Sequence, residues 1–276
     1  MSAPMRVAVL GMGAMGRAVA ERARRQGYEV VVWNRTPGRA GTLPESPSAA
    51  AAVGRAHAVI VVVRDDAAVR QVCSPELLDA LGPSTYLLIV TTVAPELIRD
   101  IETQRPGRVL DIPVIGSPAM VLDGQAAMLV GGAEQATPEL AQLLDDLSPA
   151  HTQCGPPGGA TVIKIVSNYQ LVVGVTALAE AVAAARSYGV SDTVLTAAFG
   201  ASIMISDGAR MGLPAMLDPS HDGVLGPVST AVNDINRMLA LTPERNRVLA
   251  SATLSLLARV AEPHWPDLSA VIEGLP

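Results

Sequence analysis

The sequence predicts an α/β fold, in which a doubly wound parallel sheet is followed by an all-helical C-terminal domain. Short apolar runs alternate with segments of helical spacing through the first half of the chain. A glycine-rich turn directly follows the first of these runs. Beyond residue 158 only helical patterns remain, and the first of them is one long segment from Ala160 to about Ser187.

The predicted strands and helices follow one another in βαβ order. The runs predicted as strands are Val7–Leu10, Tyr28–Trp33, Ala58–Val63, Tyr86–Val90, a run that begins at 108–110, and Ala127–Val130. The segments predicted as helices between them are Ala14–Arg25, Asp66–Cys73, Pro95–Thr103 and 138–147. Such alternation predicts crossover connections that place helices on both faces of the sheet. We predict domains at 1–158 and 159–276, with the long helix leading into the second.

The first strand runs directly into the motif G-x-G-x-x-G. Gly11 permits the tight turn, Gly13 lets backbone N–H groups approach a pyrophosphate, and Gly16 lets helix and strand pack closely. The phosphates would lie at the helix N-terminus, where unpaired N–H groups favour negative charge. This context distinguishes the motif from a glycine-rich turn without a ligand, and it predicts a Rossmann-type dinucleotide-binding domain.

The end of the second predicted strand indicates which dinucleotide is bound. NAD-specific sites usually carry Asp or Glu here, which bonds the ribose 2′-hydroxyl. This chain has Asn34, Arg35 and Thr36 instead. A carboxylate would repel a 2′-phosphate, whereas a guanidinium can pair with it through two charge-assisted hydrogen bonds. Arg35 could also be a solvated turn residue, but its position directly after the strand favours NADP(H).

Length, composition and charge narrow the functional classes. The chain has 276 residues, of which 49% are hydrophobic and 3% aromatic, and a formal net charge of −6. These values suit two globular domains and argue against nucleic-acid binding. The apolar stretch 171–185 contains Glu180 and is short for a bilayer span, so no membrane segment is predicted. The absence of a signal-peptide pattern and the two distant cysteines lead us to expect a cytoplasmic protein.

Candidate catalytic groups lie at the start of the long helix. Lys164 stands among Val and Ile residues, which favours a less open position than that of most helix lysines. Lys164 and Asn168 are four residues apart and therefore share a helical face. Near an oxidised nicotinamide ring, desolvation and positive charge would both lower the pKa of the lysine. Lys164 is thus a candidate proton donor or acceptor, and Asn168 a candidate for positioning the reacting group. No metal site is predicted, because the one loop that combines His with carboxylates, 218–222, is typical of a surface turn.

These features together resemble the β-hydroxyacid dehydrogenase family, which includes the 3-hydroxyisobutyrate dehydrogenases. The wider superfamily also contains 6-phosphogluconate dehydrogenase and the imine reductases. Besides the glycine motif and Val32-Trp33-Asn34-Arg35-Thr36, the resemblance covers Thr91-Thr92-Val93-Ala94-Pro95, which is similar to the family's S-T-V-x-P. Gly159 to Asn168 match the catalytic G-x-x-x-x-K-x-x-x-N, and Asp267 to Val271 resemble D-x-S-A-V.

Two departures from the family pattern concern the substrate. The family's D-x-P-V-S-G-G loop is replaced by Asp111-Ile-Pro-Val-Ile115-Gly116-Ser117, so that Ile115 stands in place of the serine that holds a substrate carboxylate. The family's K-D-L is replaced by Asn233-Asp234-Ile235, which removes a cation. Both changes are closer to imine reductases, which however generally replace the lysine that this chain retains as Lys164.

The resemblance implies roles for particular residues and a reaction. The cofactor-binding residues are predicted to be Gly11, Met12, Gly13, Ala14, Met15, Gly16, Asn34, Arg35, Thr36, Val63, Arg64, Thr92 and Asn233. Those predicted to bind substrate are Ile115, Gly116, Ser117, Lys164 and Asn168, in a cleft between the domains. We expect an NADPH-dependent reductase of a small carbonyl compound that forms a homodimer through its helical domain. An imine reductase and a non-catalytic NADPH-binding protein are the alternatives.

Overall fold

The computed structural model describes residues 5–260 and 267–275. It divides into two compact units, Met1–Lys164 and Ile165–Pro276. The division falls inside the long helix, a few residues beyond the boundary that the sequence suggests.

The first unit is built around a parallel five-stranded sheet. Its strands are β1 (Arg6–Leu10), β2 (Glu29–Trp33), β3 (Ala58–Val61), β4 (Tyr86–Ile89) and β5 (Val109–Asp111). They lie in the order β2-β1-β3-β4-β5, and every adjacent pair is parallel. The helices are α1 (Ala14–Arg25), α2 (Ala49–Val53), α3 (Asp66–Val72), α4 (Pro75–Ala80), α5 (Pro95–Gln104), α6 (Pro118–Leu122) and α7 (Pro138–Leu147).

Both faces of this sheet are buried. Val7, Val9 and Ile60 belong to one hydrophobic core together with side chains of α1 and α7. Ala8 and Leu10, which alternate with them in β1, belong to the core on the opposite face together with residues of α2 to α5. Because successive strand residues point to opposite faces, helices must cover the sheet on both sides. The predicted doubly wound α/β fold is therefore confirmed.

A second, smaller sheet departs from the simple alternation. Its strands are β6 (Val114–Ile115), β7 (Ala127–Val130) and β8 (His151–Gln153), and β6 pairs with β7 in the antiparallel sense. The sequence correctly bounds β7 but presents it as one more strand of the βα series. The segment between β6 and β7 holds only the short α6, which is too brief for the crossover that parallel neighbours require.

Strand β3 ends at Val61, two residues before the apolar run does. The N–H of Val62 still donates to Leu10 O, at 2.8 Å. The N–H of Val63 instead donates to Thr91 Oγ1, at 2.9 Å, and this side-chain bond takes the chain out of the strand.

The second unit is helical throughout its described residues. Its helices are α8 (Gly159–Ser187, which begins in the first unit), α9 (Asp192–Ala201), α10 (Asp207–Met211), α11 (Leu213–Leu217), α12 (Val228–Leu241) and α13 (Val248–Leu257), followed by a 3₁₀ turn at Leu268–Gly274. Val175 and Val182 of α8 are fully buried in a core shared with Ile235 and Leu257. The predicted all-helical domain entered by a long helix is confirmed.

Helix α8 is longer than its most apolar stretch suggests. Its 29 residues have a mean hydropathy of 1.5 over the most apolar window, and 33% of that window is buried. In the described part of the chain it is the one helix that could cross a bilayer by length and composition, so the expectation based on shortness is wrong. Core helices of soluble proteins meet the same criterion, and no membrane location follows from it.

Candidate functional site

The strand order fixes where a ligand is expected in the first unit. Strands β2 and β3 lie on opposite sides of β1, so the connections after β1 and β3 leave the sheet in different directions. In open α/β sheets, ligands bind in the crevice that this reversal opens at the carboxyl ends of the strands. A cavity of about 610 Å³ lies at this place, and its lining comes from the loops after β1, β2 and β3 and from α3.

The glycine turn after β1 has three different spatial requirements. Gly11 has φ +105° and a Cβ there would collide with the carbonyl oxygen of Val62. A Cβ on Gly16 would collide with the carbonyl oxygen of Gly11, so the start of α1 packs directly on the turn. A Cβ on Gly13 would meet nothing within 4 Å, although this glycine lines the cavity. Gly13 therefore leaves open the space through which a ligand can reach the backbone.

Helix α1 begins at this turn with its N–H groups available. Gly13 is its N-cap, no side chain caps it, and its first turn contains no acidic residue. Unpaired N–H groups and the helix dipole favour an anion at such an end. The glycine cradle and the helix end thus fit the pyrophosphate of a dinucleotide.

Asn34 connects the glycine turn to the loop after β2. Its Oδ1 accepts from Met12 N at 2.9 Å, and its Nδ2 donates to Thr36 O at 2.8 Å. An aspartate here could accept the first bond but could not donate the second. Arg35 is exposed beside this link and, among the described residues, makes no hydrogen bond or ion pair within the chain. A second cavity of about 540 Å³ continues from Arg35 along the loop at 45–49.

The loops after β3 and β4 are held together by Thr91. Its hydroxyl donates to Val63 O at 2.9 Å and accepts from Val63 N at the same distance. Thr91 is buried, whereas the adjacent Thr92 is partly exposed. Arg64 is exposed and pairs with the neighbouring Asp65, with Nε to Oδ2 at 2.7 Å.

The first turn of α8 is fastened to the same edge of the sheet. Asp111 ends β5, and its carboxylate accepts from Gly158 N at 2.8 Å and from Thr161 N at 2.6 Å. The Thr161 hydroxyl donates to Val93 O at 3.0 Å and accepts from Val93 N at 3.3 Å. Since Val93 follows β4, these bonds fix the start of α8 to the carboxyl ends of β4 and β5. Lys164 is partly buried one turn further along.

Asp111 is almost completely buried at 1% exposure. Burial raises the pKa of its carboxyl group, and the hydrogen bonds from the amides of Gly158 and Thr161 lower that pKa in part. A Cβ on Gly131 would collide with Asp111 Oδ1, so the glycine at this position makes room for the carboxylate. The carboxylate acts as a cap for the unpaired N–H groups at the start of α8.

Asn168 lies one turn after Lys164 on α8. Its Nδ2 donates to Asp234 Oδ2 on α12 at 3.0 Å. Asp234 is buried, and its Oδ1 lies 3.4 Å from Nη1 of Arg237. The amide of Asn168 is therefore held by a buried acidic group that belongs to the same unit.

The predicted substrate loop is partly exposed. Ile115 ends β6 with 39% of its surface exposed, and Gly116 has φ +146°. Ser117 is the N-cap of α6, and its hydroxyl accepts from Met120 N at 3.3 Å, which leaves the hydroxyl hydrogen able to donate. Ile115 thus places an exposed apolar side chain where a serine would offer a hydrogen bond.

Most of the predicted cofactor-binding residues line the cavity, together with residues that were not predicted. The predicted residues in its lining are Gly11, Gly13, Ala14, Met15, Gly16, Asn34, Arg35, Thr36, Val63 and Arg64. Met12 lies outside it because its side chain is in the core, and Thr92 and Asn233 do not line it either. Their contacts with cofactor stay predictions. The lining residues that were not predicted are Trp33, Val62, Ala68, Gln71 and Val72. The spacing of Ala68, Gln71 and Val72 at i, i+3 and i+4 marks one face of α3 and could have indicated them.

Possible metal ligands do not form a cluster in the described part of the chain. Among the described residues, no group of three or more His, Cys, Asp and Glu side chains could hold a metal ion. His221, from the loop at 218–222, is buried, and its ring nitrogens lie 2.9 Å from Ala215 O and 3.0 Å from Glu273 Oε1. This histidine connects its loop to the C-terminal 3₁₀ turn.

Comparison with known proteins identifies the family. The family model for the NAD binding domain of 6-phosphogluconate dehydrogenase matches residues 6–155. Glyoxylate/succinic semialdehyde reductase 1 of Arabidopsis thaliana is 25% identical over 285 residues, which cover 98% of each chain. The chain belongs to the β-hydroxyacid dehydrogenase family. The resemblance predicted from the motifs is confirmed, and the chain is an oxidoreductase of this family with an NAD(P)-binding domain.

Solved structures of the family and its neighbours share the fold. The 3-hydroxyisobutyrate dehydrogenase of Mycobacterium tuberculosis, solved with L-serine, is 22% identical, with a TM-score of 0.86 over 98% of this chain and 99% of that one. A variant of the imine reductase from Myxococcus stipitatus, solved with NAD⁺, is also 22% identical, with a TM-score of 0.68 and full coverage of both chains. These likenesses concern the fold, and the substrate must be argued from the site residues.

Proposed function

We propose that this β-hydroxyacid dehydrogenase family member is an NADPH-dependent reductase of a small carbonyl compound, with Lys164 as its proton donor. The proposal rests above all on one observation. Lys164 is the only lysine in the sequence, and the other 19 of the 20 Lys and Arg residues are arginines. Arginine stays protonated at any ordinary pH, whereas lysine can give up and regain a proton. The chain thus uses arginine wherever it needs a fixed positive charge and has lysine at the one position where the family pattern requires a proton to move.

The position of Lys164 supports this role. Asp111 and Thr161 fasten the turn before it to the loops after β4 and β5. The dinucleotide cavity opens at the same edge of the sheet, at the ends of β1, β2 and β3. These contacts support a position of the partly buried Lys164 near the edge at which a nicotinamide would be held.

The proposed reaction gives roles to Lys164, Asn168 and the substrate loop. Bound NADPH supplies the hydride that reduces the carbonyl carbon. Lys164 Nζ donates a proton to the carbonyl oxygen, which leaves a neutral amine and an alcohol, and the amine regains its proton from water. Asn168 orients the reacting group, and Gly116 N–H and the Ser117 hydroxyl are donors for a polar end of the substrate.

The choice of NADPH over NADH is supported by the loop after β2. Asn34 takes the place of an acidic residue, and its amide group donates to Thr36 O, which orders the segment that carries Arg35. An exposed guanidinium without a partner among the described residues suits a 2′-phosphate. Psf3, a structural relative with a TM-score of 0.83, was solved with NADP⁺.

Reduction of an imine is the second candidate, and Ile115 is the observation that favours it. An exposed isoleucine in the substrate loop cannot donate to a carboxylate, and it suits an uncharged apolar ring. The retained Lys164 favours the carbonyl substrate, so the two residues support different substrates.

We also propose that the protein is cytoplasmic and forms a homodimer through the helical unit. Large apolar side chains are exposed on that unit, among them Tyr188 at 91%, Ile203 at 94%, Met204 at 88% and Val248 at 80%. Exposed apolar side chains mark contact surfaces where they lie together in a patch. Sedimentation of the full chain tests the dimer.

The reductase is tested with substrates of both classes and a lysine variant. NADPH oxidation is followed with glyoxylate, succinic semialdehyde and 2-methyl-1-pyrroline, for the wild type and for Lys164→Met. We expect the aldehydes to be reduced, and the variant to lose about 10²- to 10⁴-fold in kcat while its Kd for NADPH is unchanged. Preference for the imine would favour the second candidate, and tight NADPH binding without any turnover would favour a non-catalytic binder.

The single lysine allows a direct measurement as well. Reductive methylation with ¹³C-formaldehyde labels Lys164 and the N-terminal amine, and Lys164→Met identifies the lysine signal. We expect NADP⁺ to lower the titration midpoint of this signal, because the ring adds positive charge and excludes water. A midpoint that NADP⁺ leaves unchanged contradicts a position of the amine beside the nicotinamide.

A further inference from the structure

The hydrogen bond between Asn168 and Asp234 fixes which way the asparagine amide points. Asp234 has 6% of its surface exposed and lies on α12, 66 residues from Asn168 in sequence. Its Oδ2 is 3.0 Å from Asn168 Nδ2. A carboxylate can only accept hydrogen bonds, so the atom that faces it must be the NH₂ group. The amide oxygen of Asn168 must consequently point away from Asp234.

The carboxylate that imposes this orientation is itself held in place. Arg237, one turn further along α12, reaches the other oxygen of Asp234, with Nη1 to Oδ1 at 3.4 Å. Arg237 keeps its charge at any ordinary pH, and this favours the ionised, accepting form of the buried aspartate. An aspartate in its acid form could donate to the amide oxygen and permit the opposite orientation. The ion pair with Arg237 works against that alternative.

We propose that Asp234 is a positioning residue, which makes Asn168 present a hydrogen-bond acceptor to the ligand. The proposal deepens the proposed function and rests on it, because it assigns the ligand side of Asn168. It also defines the chemistry recognised there: the ligand atom beside Asn168 Oδ1 carries an O–H or N–H group.

This polarity has a consequence for the reduction itself. A carbonyl oxygen has no hydrogen to donate, so it gains nothing from an acceptor at Asn168. Once Lys164 has transferred its proton, the same oxygen is a hydroxyl that can donate to Asn168 Oδ1. An interaction that forms only as the reaction proceeds lowers the barrier without tightening substrate binding. We therefore expect changes at Asp234 to affect kcat, with little effect on KM for the aldehyde.

A purely structural role for Asp234 makes a different prediction. In that case the bond between α8 and α12 would matter only for packing, and any pair that restores the bond and the stability would be equivalent. The two roles are separated by exchanging the two side chains. Asn168→Asp alone sets two carboxylates against each other. Asn168→Asp combined with Asp234→Asn restores one N–H···O bond and keeps an acceptor at position 168.

The test compares these variants in the full-length protein with NADPH and succinic semialdehyde, or whichever probe the wild type reduces fastest. We expect Asn168→Asp to lower kcat about 100-fold or more. The kcat of the double variant should be at least about tenfold higher than that of Asn168→Asp. KM and the Kd for NADPH should change less than about threefold. Asn236→Asp, which adds a charge at an exposed position of α12, is the matched control and should leave kcat unaltered. A folded double variant that is no more active than Asn168→Asp overturns the proposal, since Asn168 would then act as a donor.

A second measurement does not depend on activity. In ¹⁵N-labelled protein, the side-chain NH₂ signals of Asn168 are those that vanish in Asn168→Asp. One of the two protons should resonate downfield because of its bond to the carboxylate, and Asp234→Leu should abolish this displacement. If the signals are the same in Asp234→Leu as in the wild type, Asp234 does not orient the amide. Loss of turnover in Lys164→Met tests the reductase separately, so failure of one proposal is distinguishable from failure of the other.

Discussion

Two glycines of the turn after β1 should separate ligand binding from folding when each is replaced by alanine. Gly13 has φ −70° and ψ −174°, which any residue can adopt, and its Cβ would meet nothing within 4 Å. The Cβ of Gly16 would collide with the carbonyl oxygen of Gly11. Both positions belong to the same motif and line the same cavity, so only the surrounding atoms distinguish them.

The magnitudes follow from these surroundings. Gly13→Ala loses some capping preference and gains from a less flexible unfolded chain, so the unfolding free energy should change by less than about 1 kcal/mol. The new methyl group projects into the cavity and would keep a phosphate from the backbone N–H groups. Losing one such bond to a charged group, at about 1.5–3 kcal/mol, should raise the Kd for NADPH about 10- to 100-fold. Gly16→Ala must displace backbone, which costs about 1–3 kcal/mol or more and should lower Tm by about 2–12 °C.

The assay combines thermal unfolding by circular dichroism with calorimetric titration of NADPH. Gly54→Ala is the matched control, because Gly54 has φ −58° and lies outside the cavity, and its Cβ would be 3.5 Å from Ala50 O. It should alter neither quantity appreciably. If Gly13→Ala binds NADPH as tightly as the wild type, the glycine turn is not where the phosphates lie. If Gly16→Ala has the same Tm as the wild type, α1 does not pack closely against the turn.

Two further predictions concern charge. Arg35→Gln should raise the Kd for NADPH about 10- to 100-fold and leave the Kd for NADH unchanged. Arg39→Gln, at an exposed position outside the cavity, is the control. If Arg35→Gln weakens the binding of both dinucleotides equally, Arg35 does not contact the 2′-phosphate. Because burial raises the pKa of Asp111, the native state binds its proton more tightly than the unfolded chain, and the contribution of this group to stability falls as pH rises through that pKa. We therefore expect the unfolding free energy of the wild type minus that of Asp111→Asn, measured in urea titrations, to decrease from about pH 4 to about pH 7. An increase would show that the pKa of Asp111 is shifted in the opposite direction.

The sequence predicts those elements whose signals are local. The bounds of α1, α7 and β7 agree with the predicted Ala14–Arg25, 138–147 and Ala127–Val130. The two helices have a clear period, the strand is a continuous apolar run, and glycine or proline follows each element within two residues. Strands β6 and β8 contain two and three residues, too few for any period to be visible. Such strands exist through their pairing with β7, and pairing is a property of the folded chain.

The same distinction holds for the candidate site. The glycine turn and Arg35 can be predicted from the sequence because phosphate binding uses neighbouring residues directly after a strand. The role of Asn34 can be predicted only in part. The sequence shows that no acidic residue stands there, but the bonds of Asn34 to Met12 N and Thr36 O are known only from the folded turn. Asp111 is the first residue of the substrate-loop motif, yet its function as a cap depends on donors 47 and 50 residues away.

The polarity of Asn168 shows why a motif can identify a residue without revealing its chemistry. The spacing in G-x-x-x-x-K-x-x-x-N places Asn168 on the face of Lys164, but an amide can donate or accept and nothing in the motif chooses between them. That choice is made by Asp234, 66 residues away, because an ionised carboxylate admits only one orientation of the amide facing it. The substrate loop is undetermined in the same way, because Ile115 removes one hydrogen bond to the substrate but does not identify the substrate group that contacts it. Substrate preference in this chain should therefore respond to changes at Asp234 as well as at residues that touch the ligand.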